Sequence, residues 1–435
     1  MKFRMRYAFI SAMVLTAVLV MGNVTTVTAD ENVPKVRVTR MTEAGVTSVS
    51  VFDDWTSAVA EIDKAGDRTS KYEIALLTDL GGDTAEALPM KSLDMPKNAA
   101  EVRIVKANNA PSNHGILITA SEKVTFNCPT TLEGVGIVCL KKQKNGSYVS
   151  DDYDLDIRSN RVVINDLKHT YNGKKSGVNN ITGTKAGYVK FIMGDATLRI
   201  GGNTTGVGTL EITNPTDIER GVHAFGRLAP GNIVAEGTNG SILIHTNCDI
   251  NVTSLKTTHC RISSGKAMNI GNLDAEASIL YAGNATGHPN GIDKGTPATA
   301  DLNVNNACLR NTHVYAKNVN VKTKLVTGGS VLDAGYKLTS PGQGGKVNIA
   351  KLFAVNDNWI FAKQDKNGRS QITVVGTVNA DPGEAEVAGL ENICLWNNDY
   401  SGLAQVGDGM ALVNAPKADP SRFVPVVVNA NNSGM

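Results

Sequence analysis

Aromatic side chains are scarce: Phe, Trp and Tyr make up 5% of the 435 residues. With 43 Gly and a wealth of Asn and Thr, that scarcity argues against a compact α/β enzyme. It suits many short strands joined by tight turns. An excess of charge is also missing. Lys and Arg number 43 against 41 Asp and Glu, a net charge of +2, which excludes the basic footprint of a nucleic-acid partner. Cysteine is sparse, with six in the chain, too few for a disulfide scaffold of this length. Cys128 could bridge Cys139, and Cys248 could bridge Cys260. Buried thiols are the preferred expectation, because runs such as GIVCL use Cys as a small hydrophobe. G-x-S-x-G, H-E-x-x-H and GxxxxGK[ST] are all absent, which removes their nucleophile-elbow, zinc-protease and P-loop chemistries.

Long apolar runs are missing everywhere except at the start. There Lys2, Arg4 and Arg6 precede the apolar run Tyr7 to Gly22, and Val27-Thr28-Ala29 offers small residues for cleavage. That order predicts a signal peptide over 1–29, a secreted or cell-surface location and no membrane span in the mature chain. Residues 30–52 predict a β-hairpin around Glu43-Ala44-Gly45. Residues 53–66 predict a helix: Asp53 or Asp54 can cap it, Trp55, Val59 and Ile62 share a face, and Gly66 can end it.

From 67 to about 410, strands recur every 8 to 12 residues with Gly, Asn, Asp and Pro between them, and 411–435 form a closing strand segment. An apolar–Asn–apolar triplet recurs at Ile250-Asn251-Val252, Met268-Asn269-Ile270, Leu302-Asn303-Val304, Val319-Asn320-Val321 and Val347-Asn348-Ile349, with Leu210-Glu211-Ile212 as a variant. The spacing is near that of a solenoid rung. The expected fold is all-β, a right-handed parallel β-helix (solenoid) whose first rung is plugged by the short N-terminal capping helix. An array of β-sandwiches is the competing architecture.

The runs W-x-x-A-V-A-E-I (Trp55 to Ile62), Y-E-I-A-L-L-T-D-L (Tyr72 to Leu80) and L-D-M-P-K (Leu93 to Lys97) precede EVRIV. A-L-V-N-A-P-K-A (Ala411 to Ala418) and Phe423 follow near the end. Together they resemble modules of exported, adhesin-like β-helix surface proteins of gut Firmicutes, in the pectate-lyase-like superfamily. The resemblance implies a parallel β-helix on the surface of a Gram-positive bacterium. The leading functional expectation is a non-catalytic adhesion module that binds glycans or host or bacterial surface proteins. A polysaccharide lyase or glycoside hydrolase on the same fold is the alternative, and a structural spacer of a larger surface protein is a third.

Catalysis would need clustered carboxylates. The best row is in DDYDLDIRSN, where Asp152, Asp154, Asp156 and Arg158 fall on one strand face and Tyr153, Leu155 and Ile157 on the other. These carboxylates could take calcium, the one cofactor candidate; a solvated outer strand face is the commoner reading of such a row. His245, Cys248, His259 and Cys260 have donors suited to zinc, but a 14-residue offset works against their meeting. QDKNGRS (Gln364 to Ser370) reads as a tight turn between two strands rather than a calcium loop. Trp359, Phe361, Trp396 and Tyr400 are the candidate ligand-binding residues, since flat rings suit sugar faces. Oligomeric state is not legible.

Overall fold

The computed structural model describes residues 34–336, apart from 67, 85–86, 108–113, 120–122, 166–175, 194–197, 217, 239–241 and 285–296. Beyond these it describes 345–350, 352–355, 358–362, 371–374, 393–396 and 426–428. The expected signal peptide, Tyr400 and nearly all of 411–435 lie outside the described residues.

The described chain is all-β with one helix. β1 (Val36–Thr42) and β2 (Gly45–Phe52) pair antiparallel, and Gly45 supplies the positive φ, 111°, that their turn requires. α1 (Trp55–Lys64) starts at Asp54, whose carboxylate accepts from the Ser57 amide at 2.8 Å and the Ser57 hydroxyl at 2.9 Å. Trp55, Ala58, Val59 and Ile62 are buried and join the main core. The indole N–H of Trp55 donates to the Asp94 carbonyl at 2.8 Å, which satisfies the one polar group that its burial would strand. β3 (Lys71–Leu76) pairs antiparallel with β1 and parallel with β4 (Glu101–Lys106).

The expected right-handed parallel β-helix is not what the connectivity gives. A pectate-lyase-like coil keeps its strands in separate parallel faces. Here, among the described residues, 31 strands join in one mixed sheet, antiparallel at β1–β2 and β1–β3 and parallel along its body, and three more form a second sheet that is also mixed. Hydrogen bonding runs on from one face to the next because single strands bond two successors. Val178–Thr182 bonds both Leu198–Ile200 and Thr204–Thr205, and Asn318–Gly328 bonds both Lys346–Ile349 and Leu352–Val355. The solenoid and pectate-lyase-like descriptions are therefore corrected. With them go the functions drawn from that architecture: the β-helix adhesion module, the lyase or hydrolase, and the spacer. α1 is correspondingly a helix packed beside β1 and β2 rather than the plug of a coil.

The Asn triplets do stack. Ile250, Met268, Leu302, Val319 and Val347 stand in register, as do the five Asn and the five residues after them. The apolar members are buried and the Asn amides chain together: Asn269 donates to Asn251 at 2.7 Å, Asn303 to Asn269 at 2.9 Å, Asn320 to Asn303 at 2.9 Å and Asn348 to Asn320 at 2.8 Å. Leu210-Glu211-Ile212 is not part of this column; Glu211 stands between Lys190 and Val234.

One corner also repeats. His259, Ala277 and Asn311 hold φ of 52°, 46° and 48°, and Gly329 holds 61°. Each of the first three donates its amide to the following strand, at 3.0 Å to Glu276, 2.8 Å to Arg310 and 2.8 Å to Gly328. The residues after them, such as Ser278 and Thr312, turn buried hydroxyls to neighbouring backbone and side chains. These bonds satisfy polar groups at a bend that water cannot reach.

A candidate ligand face

Eight strands build the face of interest: Arg220–Ala224, Ile242–Thr246, Cys260–Ser264, Ile279–Ala282, His313–Ala316, Val331–Ala334, Asn358–Ala362 and Ile393–Trp396. Each pairs parallel with the next. Alternation sends Val222, Ile244, Ile262, Leu280, Val314, Leu332 and Ile360 into the main core. In the first six of these strands the next residue turns to the other side, and Phe361 and Trp396 continue the row by backbone register. This outer column reads His223, His245, Ser263, Tyr281, Tyr315, Asp333, Phe361 and Trp396 in register.

Its middle is a small aromatic cluster separate from the main core. Tyr281 is buried with Ala298, and Ile279, Tyr315 and Tyr336 pack against them. The ring centroids of Tyr315 and Tyr336 are 4.5 Å apart, and Tyr281 meets Tyr315 at 5.9 Å and Tyr336 at 6.3 Å, both edge to face. Such geometry sets the positive edge of one ring on the negative face of another. His313 is exposed, and its Nδ1 lies 3.3 Å from the Tyr315 hydroxyl. Burial raises the Tyr281 phenol above its ordinary pKa, and the neighbouring Tyr336 and Asp333 add to the shift. Partial desolvation of the imidazole lowers the pKa of His313 from its ordinary value.

Phe361 and Trp396, singled out in the sequence, fall in this column by register. Trp359 falls in the adjacent one, between Val331 and Cys394. Tyr281, Tyr315, Tyr336 and His313 were missed. A signal for most of them exists: Ile279-Leu280-Tyr281-Ala282, His313-Val314-Tyr315-Ala316, Val331-Leu332-Asp333-Ala334 and Trp359-Ile360-Phe361-Ala362 share an aliphatic residue, a variable aromatic or acid, then Ala. Tyr336 has no such signature.

The acidic row is placed differently. Tyr153, Leu155 and Ile157 are buried, so Asp152, Asp154 and Asp156 do share the other face. Protein donors meet all three. Asp152 accepts from the Gly177 amide at 3.0 Å and Arg199 at 2.9 Å. Asp154 accepts from the Asn179 side chain at 2.8 Å and from the Asn180 amide and side chain at 3.1 and 3.0 Å. Asp156 pairs with Lys123 at 2.8 Å. These contacts offset the like-charge repulsion that a calcium ion would otherwise relieve. Arg158 sits in a left-handed corner, φ 52°, beyond the strand end.

The zinc candidates also have separate partners. His245 is buried, with Nδ1 2.8 Å from the Ser263 hydroxyl and Nε2 3.0 Å from the Asn247 side-chain oxygen. Cys260 is buried against the Thr258 and Ala235 carbonyls, Cys248 lies against that of Phe225, and His259 forms a corner. No three His, Cys, Asp or Glu converge as a metal set among the described residues. Cys128, Cys139, Cys248, Cys260 and Cys308 are free thiols. The strands flanking Gln364 to Ser370 are no hairpin: Asn358–Ala362 and Gln371–Val374 pair with other strands, not each other.

A cleft of about 400 Å³ lies elsewhere, by the start of α1, with Lys35, Lys91, Asp53 and Asp54 around Leu80 and Met90. Asp54 is already engaged as the helix cap, and the remaining charges select no ligand class. Comparison of the chain with family models, with curated proteins and with solved structures gave no match. Together with the sheet connectivity, this leaves the resemblance to adhesin-like pectate-lyase-type proteins unsupported. No helix among the described residues is long and apolar enough to cross a membrane.

Proposed function

We propose that the chain is exported and engages an extracellular glycan at the outer column of Tyr315, Phe361 and Trp396, flanked by Tyr336 and His313, with the buried Tyr281 packed edge-on against the Tyr315 and Tyr336 rings. The column's in-register repetition carries this reading. Strands lie about 4.8 Å apart, a step on the scale of one sugar ring; Phe361 and Trp396 fall on successive strands and Tyr315 two strands before Phe361, so these rings can meet an extended chain of sugars at several points. The half-buried Tyr315 and Tyr336 rings offer flat apolar faces with hydroxyl tips, the mixed character that sugar rings present in return. Export rests on the basic, apolar and small-residue order of residues 1–29. The near-neutral net charge of +2 favours a neutral polymer over a strongly charged one.

The test is retention of the purified protein on a panel of plant, mucin and microbial glycans, followed by calorimetry on the retained class. Binding of one class, weakened at least about tenfold in Tyr315→Ala and in Trp396→Ala, is expected. Retention of none, or equal binding by both variants, refutes the reading.

A further inference from the structure

β2 is an edge strand without the usual protection. Natural edges carry lysines, prolines or inward charges that discourage further pairing. Gly45–Phe52 reads GVTSVSVF, with no charge and no proline over eight residues, in a chain of which 19% is charged. It is exposed along nearly its whole length, and Val46, Val49 and Val51 are 46%, 52% and 56% exposed. Among the described residues it pairs with β1 alone. The Phe52 carbonyl accepts from the Lys35 amide at 2.9 Å and so faces β1. By alternation, the amides and carbonyls of Val49 and Val51 face away from β1, onto the outer edge.

We infer that this edge pairs with the β2 edge of a second copy of the chain, antiparallel about a two-fold axis at Ser50. In that register Val49 of each copy exchanges backbone hydrogen bonds with Val51 of the other, and Ser48 lies opposite Phe52. The sequence is self-complementary in charge. Nothing charged lies within the paired segment, Asp53 falls opposite Thr47, and Glu43 falls beyond the paired stretch, so no like charges meet across the axis. A strand of another protein has no charge on this edge to select it, whereas an identical strand finds its own β-branched and hydroxyl side chains in matching positions. One strand pair buries less than the area typical of an obligate dimer, so the association is reversible and concentration-dependent.

Sedimentation equilibrium of the full purified chain over a roughly hundredfold concentration range tests this. A monomer–dimer equilibrium is expected, and Val49→Lys, which sets two like charges near the axis, weakens it at least about tenfold. Ser50 faces itself across the axis at a non-hydrogen-bonded position, where Cα atoms approach to about 4.5 Å, within disulfide reach. Mild oxidation of Ser50→Cys therefore gives a disulfide-linked dimer above the background set by the native thiols, and Ser48→Cys does not. Circular dichroism melts confirm that each variant is folded. A monomer at every concentration, an undiminished dimer in Val49→Lys, or cross-linking of Ser48→Cys in place of Ser50→Cys overturns the inference. So does strong hydrogen-exchange protection of the Val49 and Val51 amides in dilute monomer, which would mean that the chain covers the edge itself.

Discussion

Replacing Asn303 tests whether the amide column stabilises the sheet or merely decorates it. Asn303 donates to Asn269 at 2.9 Å and accepts from Asn320 at 2.9 Å, so Asn303→Leu removes both bonds while keeping a side chain of similar size. A net hydrogen bond is worth about 0.5–1.5 kcal/mol, and water replaces much of it at an outer position. Two bonds in the lower half of that range give about 1–2 kcal/mol. The better strand propensity of Leu returns a few tenths, roughly 0.3 kcal/mol. The expected loss is about 1 kcal/mol, read from the shift of the urea midpoint at constant m.

Asn303→Asp is the sharper variant. It keeps the acceptor toward Asn320 but turns a second oxygen on the Asn269 oxygen, which raises the folded pKa of the new carboxyl above its unfolded value. The protonated acid can donate to Asn269, so stability is present below the unfolded pKa and is lost as pH rises through the folded pKa. The deficit against the parent is therefore larger at pH 7 than at pH 3.5. A change under about 0.3 kcal/mol in both variants, or a deficit in Asn303→Asp that is larger at the acid end, refutes the account of the column.

Other consequences are as direct. Ala277 sits at φ 46°, so Ala277→Gly should raise stability by about 0.5–1 kcal/mol in urea melts, relieving a left-handed residue that carries a Cβ; no gain would mean that the corner is not strained. Asp54→Ala removes the α1 cap and should cost about 1 kcal/mol, with an unchanged midpoint arguing against the cap. The folded pKa of His313 lies below its unfolded value, so the unfolded chain binds more protons as pH falls from about 6.5. The protein should then lose stability on acidification through that range, and His313→Gln should flatten that part of the profile; parallel profiles would count against it. Burial pushes the Cys128 thiol up to about 11 and the Cys260 thiol up to about 12. Cys248 and Cys308 are only partly buried, so they should react first with a thiol reagent at pH 8, and early labelling of Cys260, read by peptide mass, would contradict this.

The sequence by itself determined the local features. Low aromatic content with abundant Gly, Asn and Thr marked an all-β chain. Asp54, the Trp55–Val59–Ile62 stripe and Gly66 bounded the helix, because caps and faces are set within a few residues. The Asn triplets identified strands that do stand in register. Only the tertiary structure decided how strands join. Whether Val178–Thr182 bonds one successor or two depends on where the chain bends and returns, and no short stretch encodes that. For the same reason the triplets suggested a coil of separate faces, while the hydrogen bonds run through one mixed sheet. The site followed the same division. Phe361 and Trp396 were visible as rare residues, but their alignment with Tyr281 and Tyr315 comes from strands 18 to 35 residues apart meeting in register. The row at Asp152 read as a solvated strand face with calcium as the lesser alternative, and the sequence could not show that neighbouring strands bring Arg199, Lys123, Gly177, Asn179 and Asn180 to it. Composition and period act along the chain, whereas charge compensation and ring stacking act across it. The latter are fixed only when the sheet is formed.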